Sequence, residues 1–313
     1  APYREGMIPA EVDGEPVDLR VFVSRSVLGR AMVVRLFPQS TGLMELDQLG
    51  MAPKVQERYR RLMARNAGVT FFVGPKASGK TTTLYTTLAR LNNGARKIVT
   101  IETPVAFALP GIVQHNIMTE QHEEIVSVIA RILQHDPDMI AVGDVATPEV
   151  GAAVFQCSVM GHQTFATMHA DDCAAALVRF QGFLDAPAVL RSCSTLVVAQ
   201  RLVRKVCPRC ARPSLPPADL LREFGFADME AEGLQFRQGP GCVACRGTGF
   251  IGRTGIFECL PVGAEIQEAL PRAPPRGISA PSRARTAIFF PSLRPGSSRR
   301  VMASPPWMRF AAS

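Results

Sequence analysis

Two groups of residues in this chain have the types and spacing for chemistry. The first is Gly74-Pro-Lys-Ala-Ser-Gly-Lys-Thr81, a glycine, four residues, then Gly-Lys-Thr. Glycines let such a loop turn its successive N–H groups toward phosphate oxygens. Lys80 then reaches the β- and γ-phosphates, and the Thr81 hydroxyl sits on Mg²⁺. The expected cradle comprises Gly74, Pro75, Lys76, Ala77, Ser78, Gly79, Lys80, Thr81 and Thr82. A glycine-rich turn without function can share this composition, so context decides. Val69–Val73 is a β-branched and aromatic run, and residues 82–91 continue as a helical pattern. The phosphates would lie at a helix N-terminus, where the dipole favours anions. ATP with Mg²⁺ is the expected ligand.

The second group is a pair of knuckles, Cys207-Pro-Arg-Cys210 and Cys242-Val-Ala-Cys245. Each C-x-x-C turn presents two sulfurs to one point, and tetrahedral Zn²⁺ takes four thiolates. Four protein ligands leave no open position, so the metal would be structural. The 31-residue spacer requires a hairpin-like excursion that returns the second knuckle to the first. Two independent redox pairs remain the alternative, although neither lies on the strand–helix turn of a thioredoxin-like site. Cys157, Cys173, Cys193 and Cys259 stand among apolar neighbours and read as small buried residues.

Composition bounds the classes. The chain has 313 residues, enough for about two domains with real cores. No apolar run approaches the roughly 20 residues that span a bilayer. The opening residues lack the basic-then-apolar order of a signal peptide, and a cytoplasmic location is expected. The net charge of +8 is concentrated at one end: residues 271–313 hold eight arginines and no Asp, Glu or Lys, leaving residues 1–270 formally neutral. A body without net positive charge lacks the footprint of a duplex binder. The arginine-, proline- and serine-rich tail has no sustained period and is expected to be disordered.

These groups need elements to position them. Val17–Val23 and Ala31–Phe37 read as strands, and residues 51–68 as a polar helix leading into the phosphate loop. Strand and helix patterns then alternate: Lys97–Ile101 strand, Glu123–Leu133 helix, Met139–Val142 strand, a helix capped by Thr147-Pro148, Gln163–Thr167 strand, Cys173–Phe183 helix. Such alternation predicts an α/β sandwich on a largely parallel sheet. The expected organisation is a partial, mainly stranded N-terminal domain (1–50), a linker helix (51–68), a phosphate-loop core (69–203), a cysteine subdomain (204–262) and the tail (263–313).

From about Pro2 to Leu270 the sequence resembles the hexameric secretion ATPases of type II secretion (the general secretory pathway E type) and type IV pilus assembly. The resemblance rests on Gly79-Lys-Thr-Thr-Thr-Leu-Tyr85, on Lys97-Ile-Val-Thr-Ile-Glu-Thr-Pro-Val105, similar to the family's acidic box, and on Gln134-His-Asp-Pro-Asp-Met-Ile-Ala-Val-Gly-Asp144, similar to its Walker B segment. Gly161-His162 through Thr167-Met-His169 is similar to its histidine box. Gln200-Arg-Leu-Val-Arg-Lys-Val-Cys207 and Gly247-Thr-Gly-Phe-Ile-Gly-Arg-Thr-Gly-Ile-Phe-Glu258 match its tetracysteine region, which favours the assembly and secretion branch over pilus retraction.

The resemblance implies a RecA-like core with a partial N-terminal α+β domain and a small zinc-knuckle subdomain. It implies catalytic roles for Glu102, Asp144 and His169, and arginines Arg20 and Arg35 that face a neighbouring subunit's nucleotide. On residues alone, His169 reads equally as an interior histidine, and Arg20 and Arg35 as solvated strand-face charges. It further implies a homo-hexamer, peripheral to the inner membrane, engaging a membrane platform and cytosolic adaptors, with membrane contact only through partners and no specific nucleic acid.

The chain departs from the family pattern where hydrolysis is decided. The family's Glu-Asp-Pro-x-Glu is Glu102-Thr103-Pro104-Val105-Ala106 here, and its Walker B glutamate is Asp144, followed by Ala146-Thr147. Lys76-Ala77 replaces the usual Thr-Gly, placing a methyl where glycine relaxes the turn. The expected activity is ATP binding with weak hydrolysis. The alternatives are a nucleic-acid-dependent ring ATPase whose zinc knuckle binds DNA, and an inactive nucleotide-binding relic.

Overall fold

The computed structural model describes residues 3–38, 43–117, 122–183, 192–216 and 236–269; the first residues of the expected tail form a helix, Ala264–Ala269, rather than continuing without structure, and residues 270–313 lie outside the description. Two units divide these residues, the first taking those up to 200 together with 257–269, the second 201–256.

The first unit opens with an antiparallel meander of β1 (Tyr3–Val12), β2 (Glu15–Ser26) and β3 (Gly29–Pro38). Asp13 and Gly14, both at positive φ (53° and 80°), close the first hairpin, since the tight turn that matches strand twist requires left-handed residues. Register sets Leu19, Val21 and Val23 opposite Leu36, Val34 and Met32 on one face. The other face carries Arg20 opposite Arg35, both guanidinium groups over the Phe22 ring at 4.9 and 5.6 Å.

Helix α1 (Pro53–Met63) leads to β4 (Gly68–Val73), followed by α2 (Lys80–Leu91), β5 (Ile98–Glu102), β6 (Val113–Asn116), α3 (His122–Leu133), β7 (Met139–Asp144), α4 (Pro148–Val159), β8 (Gln163–Met168), α5 (Cys173–Phe183) and β9 (Thr195–Val206). β12 (Phe250–Val262) and α6 (Ala264–Ala269) complete the described chain. One sheet has the order β12-β9-β4-β8-β7-β5-β6, with the pairs from β9 to β6 parallel. β4 and β8 lie inside it and are buried along almost their whole length because both faces are covered.

Successive residues of β4 serve opposite faces. Phe71 packs with Phe155 of α4 and Phe180 of α5 at 5.2 and 4.6 Å between ring centres. Phe72 turns to the other face, against Tyr59 of α1 and Phe165, in a cluster with Leu84, Tyr85 and Leu88 of α2. Each such side chain contributes about 1.5–3 kcal/mol on burial. At the start of α4 the Thr147 hydroxyl accepts from the Val150 N–H, with Pro148 at the first helical position. No helix among the described residues is long and apolar enough to cross a membrane.

In the second unit β10 (Arg212–Pro213) pairs antiparallel with β11 (Arg237–Gln238). This clasp returns the chain from the first knuckle to the second. Residues 217–235, between them, lie outside the description.

Candidate functional site

The parallel strands end together at Val73, Glu102, Asp144 and Met168, the edge where open α/β sheets bind ligands. Gly74 follows β4, and a Cβ there would lie 2.4 Å from the Gln200 carbonyl oxygen and 2.5 Å from the Ser78 hydroxyl. Only glycine fits. Gly79, at φ 89°, turns the chain into α2, whose first turn has no side-chain cap. The N–H groups of that turn therefore remain for an anion. Ser78 adds a buried hydroxyl with no protein partner.

Lys80 is buried, its ammonium donating to the carbonyls of Gly74 and Pro75 at 3.0 and 2.9 Å. Burial lowers its pKa, and the Asp144 charge opposes that shift. Thr81 and Thr82 are exposed at the helix start. Ala77 stands at φ 60°, in the left-handed region, so the methyl anticipated from sequence does strain the loop.

The acidic positions divide. Asp144, at the end of β7, carries a half-exposed carboxylate 3.5 Å from the Nε2 of His169. Gly143 permits this crossing beside β5: a Cβ there would meet the Glu102 Cα and the Ile101 carbonyl at 3.3 Å. The His169 carbonyl accepts from Arg179 of α5, which steadies the segment after β8.

Glu102 is instead buried. Its carboxylate accepts from the Tyr85 hydroxyl, from Thr100 at 2.6 Å and from Gln114 at 3.3 Å. Burial, then the neighbouring carboxylate, pushes the Tyr85 phenol well above its ordinary pKa. The Ala106 N–H donates to the same phenol, and its methyl packs against the core. The structure thus brings Asp144 and His169 together and gives Glu102 to a protein network. Arg20 and Arg35 stand together on the N-terminal sheet.

Sequence reading missed Tyr85, Gln114, Arg179 and Gln200. The last accepts from Thr83 of α2 at 2.7 Å while its carbonyl walls Gly74. The quoted motifs that contain Tyr85 and Gln200 could have flagged those two; Gln114 and Arg179 act through contacts with no fixed spacing.

In the second unit all four knuckle sulfurs lie within 4.8 Å of one another. The sulfurs stand 3.8 Å apart for Cys207–Cys242, 3.9 Å for Cys210–Cys245 and 3.7 Å for Cys242–Cys245. Four sulfurs at ordinary Zn–S distances around one ion would be about 3.8 Å apart. The four are free thiols with both knuckles sharing one centre, which separate redox pairs would not require. Burial works against the Cys245 thiolate, but N–H donors from Cys242 and Gly249, with its cysteine neighbours, bring that thiol down to about 6. Gly239 and Gly249 cross so closely that a Cβ on either would meet the other's carbonyl at 2.2 or 2.1 Å. The donor set fits zinc.

A family model described as type II/IV secretion system protein matches residues 4–297. The chain is 33% identical over 268 residues to the type IV pilus assembly ATPase PilB of Thermus thermophilus, covering 86% of this chain and 29% of that protein. It is 34% identical over 269 residues to type II secretion system protein E of Klebsiella pneumoniae, covering 86% and 53%. The chain therefore spans about half or less of the length of these relatives. Among solved structures, the Legionella pneumophila ATPase DotB aligns with a TM-score of 0.59 at 18% identity, over 85% of this chain and 64% of that one. The pilus retraction motor PilT with bound ADP aligns at 0.56 and 21%, over 73% and 69%. At these identities the structures establish the fold, an α/β phosphate-loop core.

Proposed function

Because the chain belongs to the type II/IV secretion system protein family, we propose that it is an ATP-binding motor subunit for pilin or pseudopilin assembly whose hydrolytic step is slow. The observation that carries this reading is the pairing of the phosphate loop with a half-exposed carboxylate, Asp144, held beside His169. In hydrolysis, a bond forms from water oxygen to the γ-phosphorus and the bond to the β–γ bridging oxygen breaks, giving ADP and phosphate. Lys80 exchanges its loop carbonyls for phosphate oxygens, and the uncapped first turn of α2 donates to the same chain of phosphates. Thr81 would ligate Mg²⁺, which neutralises charge on the transferred group. Asp144 orients the water, with His169 fixing the carboxylate. Arg20 and Arg35 would serve a neighbour's nucleotide in a homo-hexameric ring that engages a membrane platform and cytosolic adaptors. Zn²⁺ on Cys207, Cys210, Cys242 and Cys245 would hold the second unit together without taking part in turnover.

Titration of the full chain with a fluorescent ATP analogue and Mg²⁺, followed by phosphate release, tests the reading. Saturable binding with slow release is expected. Failure to bind, or binding indifferent to Lys80→Ala, would contradict it.

A further inference from the structure

One buried residue of the first unit touches both ends of the phosphate loop. β9 runs parallel to β4 with Ala199 opposite Val73, so Gln200 comes level with Gly74, where the chain leaves its strand. The Gln200 carbonyl oxygen fills the space beside Gly74, 2.4 Å from where a Cβ would stand. Side chains alternate along a strand. Val198 packs in the cluster that holds Leu84, Tyr85 and Leu88 of α2, so Gln200, two residues on, faces α2 as well. There its Oε1 accepts from the Thr83 hydroxyl at 2.7 Å.

Thr83 is where the loop closes onto the helix. Its N–H donates to the Gly79 carbonyl at 3.1 Å, the bond that completes the first turn of α2. The expected cradle, residues 74–82, is therefore bracketed by two contacts of a single residue.

The chemistry of the side-chain contact is specific. Thr83 is fully buried and Gln200 is 4% exposed. A valine would fill the volume of Thr83, and a methionine most of that of Gln200, so packing alone calls for neither a hydroxyl nor an amide. Burying both costs free energy unless they meet. Thr86 and Thr87, also buried on α2, give their hydroxyl protons to the backbone carbonyls of Met44 and Thr83. Thr83 gives its own to an amide on the strand beside the loop.

We propose that Gln200 is a positioning residue for the nucleotide: by holding Gly74 and Thr83 at a fixed separation, it sets the width of the cradle and the convergence of its N–H groups on phosphate. The proposal rests on the nucleotide reading of the loop. Without the Thr83 bond, the first turn of α2 shifts relative to Gly74, and donors that must converge on the same oxygens spread apart. The loss falls on the phosphate chain, whatever the base.

The test is calorimetric titration of the full chain with Mg²⁺–ATP and with Mg²⁺–tripolyphosphate, which probes the cradle without base or ribose. Thermal unfolding is measured alongside. Gln200→Met and Thr83→Val each remove the bond at nearly constant volume. Each should weaken both ligands by about 5- to 10-fold, the range of one ordinary hydrogen bond. The double variant should weaken them no further than about 10-fold, because both changes remove the same bond. Thr83→Ser keeps the hydroxyl and should stay within about twofold. If Gln200→Met does not fold, the contrast between Thr83→Val and Thr83→Ser decides alone.

Affinities within about twofold in both single variants, whatever happens to the unfolding temperature, would make the bond merely structural and overturn the proposal. So would effects that multiply in the double variant, or weakened ATP binding with tripolyphosphate unaffected. Lys80→Ala in parallel separates the two readings. If it too leaves ATP affinity unchanged, the nucleotide reading falls as well; if it weakens ATP while the Gln200 and Thr83 variants do not, only this inference falls.

Discussion

From Gly74 to Thr81 the backbone features of a phosphate cradle are in place, strained at Ala77 alone. Across the same strand ends, the half-exposed carboxylate of Asp144 stands beside His169 while Glu102 is buried. Glu102 feeds a buried network through Tyr85, Thr100 and Gln114, and the Ala106 methyl packs against the core. The contrast separates two demands on one site. Gripping an anion needs backbone donors and a lysine, supplied by the turn itself. Activating water needs a side-chain oxygen placed to within about 1 Å, since a misplacement of that size can cost about 10²-fold.

The largest expected effect lies outside both halves and sharpens the comparison by leaving them alone. Cys207→Ser removes a ligand from a centre whose metal energy is of order 10 kcal/mol in small zinc domains. Limited proteolysis should then cut within 201–256, zinc content should fall from one per chain, and ATP affinity should stay within about twofold. Zinc-free protein purified under reducing conditions with this unit intact would contradict the assignment.

Lys80→Ala strikes the gripping half. It removes a buried charge-assisted donor worth about 1.5–3 kcal/mol, so ATP binding should weaken roughly 10- to 100-fold, read by calorimetry. An unchanged affinity would mean that nucleotide sits elsewhere.

Glu102→Gln probes the acidic half. A carboxamide offers one oxygen where three donors converge, so unfolding free energy should drop by about 1–3 kcal/mol in a denaturant titration. Single-turnover hydrolysis should change little. A large loss of turnover at unchanged stability would give Glu102 a direct role with water.

The smallest effect concerns the one strained residue of the cradle. Ala77→Gly relieves the left-handed φ and should gain about 1 kcal/mol in stability or ATP affinity. A loss would mean that the methyl has a favourable contact in the bound loop.

Much of this was legible in the sequence where local rules govern. The helix from Cys173 to Phe183 and the cap at Thr147-Pro148 follow from apolar spacing and capping chemistry, and the strands at 98–102, 139–144 and 163–168 from apolar runs. β1 escaped because its residues mix charges, glycine and proline, although Asp13-Gly14 is a hairpin signal. β6 is four residues of polar sequence paired at a sheet edge, with no pattern to read. Within the site, the phosphate loop and the four cysteines were plain because their chemistry depends on fixed spacing. Tyr85 and Gln114 were not, because whether Glu102 faces solvent or a phenol is decided by packing between elements distant in the chain. The formal neutrality of residues 1–270 likewise hid an uneven distribution, since a sum over the chain carries no positions: the described residues of the second unit hold eight Lys or Arg and no Asp or Glu.

The central claim, firm binding with slow turnover set by Asp144, is tested most directly by single-turnover phosphate release at saturating ATP and Mg²⁺, comparing the unmodified chain with Asp144→Glu. The added methylene carries the carboxylate about 1 Å further toward the nucleotide, so the rate constant should rise by up to about 10²-fold while ATP affinity stays within about twofold. An unmodified chain that already matches the glutamate variant would contradict the account, because the short carboxylate would then not limit hydrolysis.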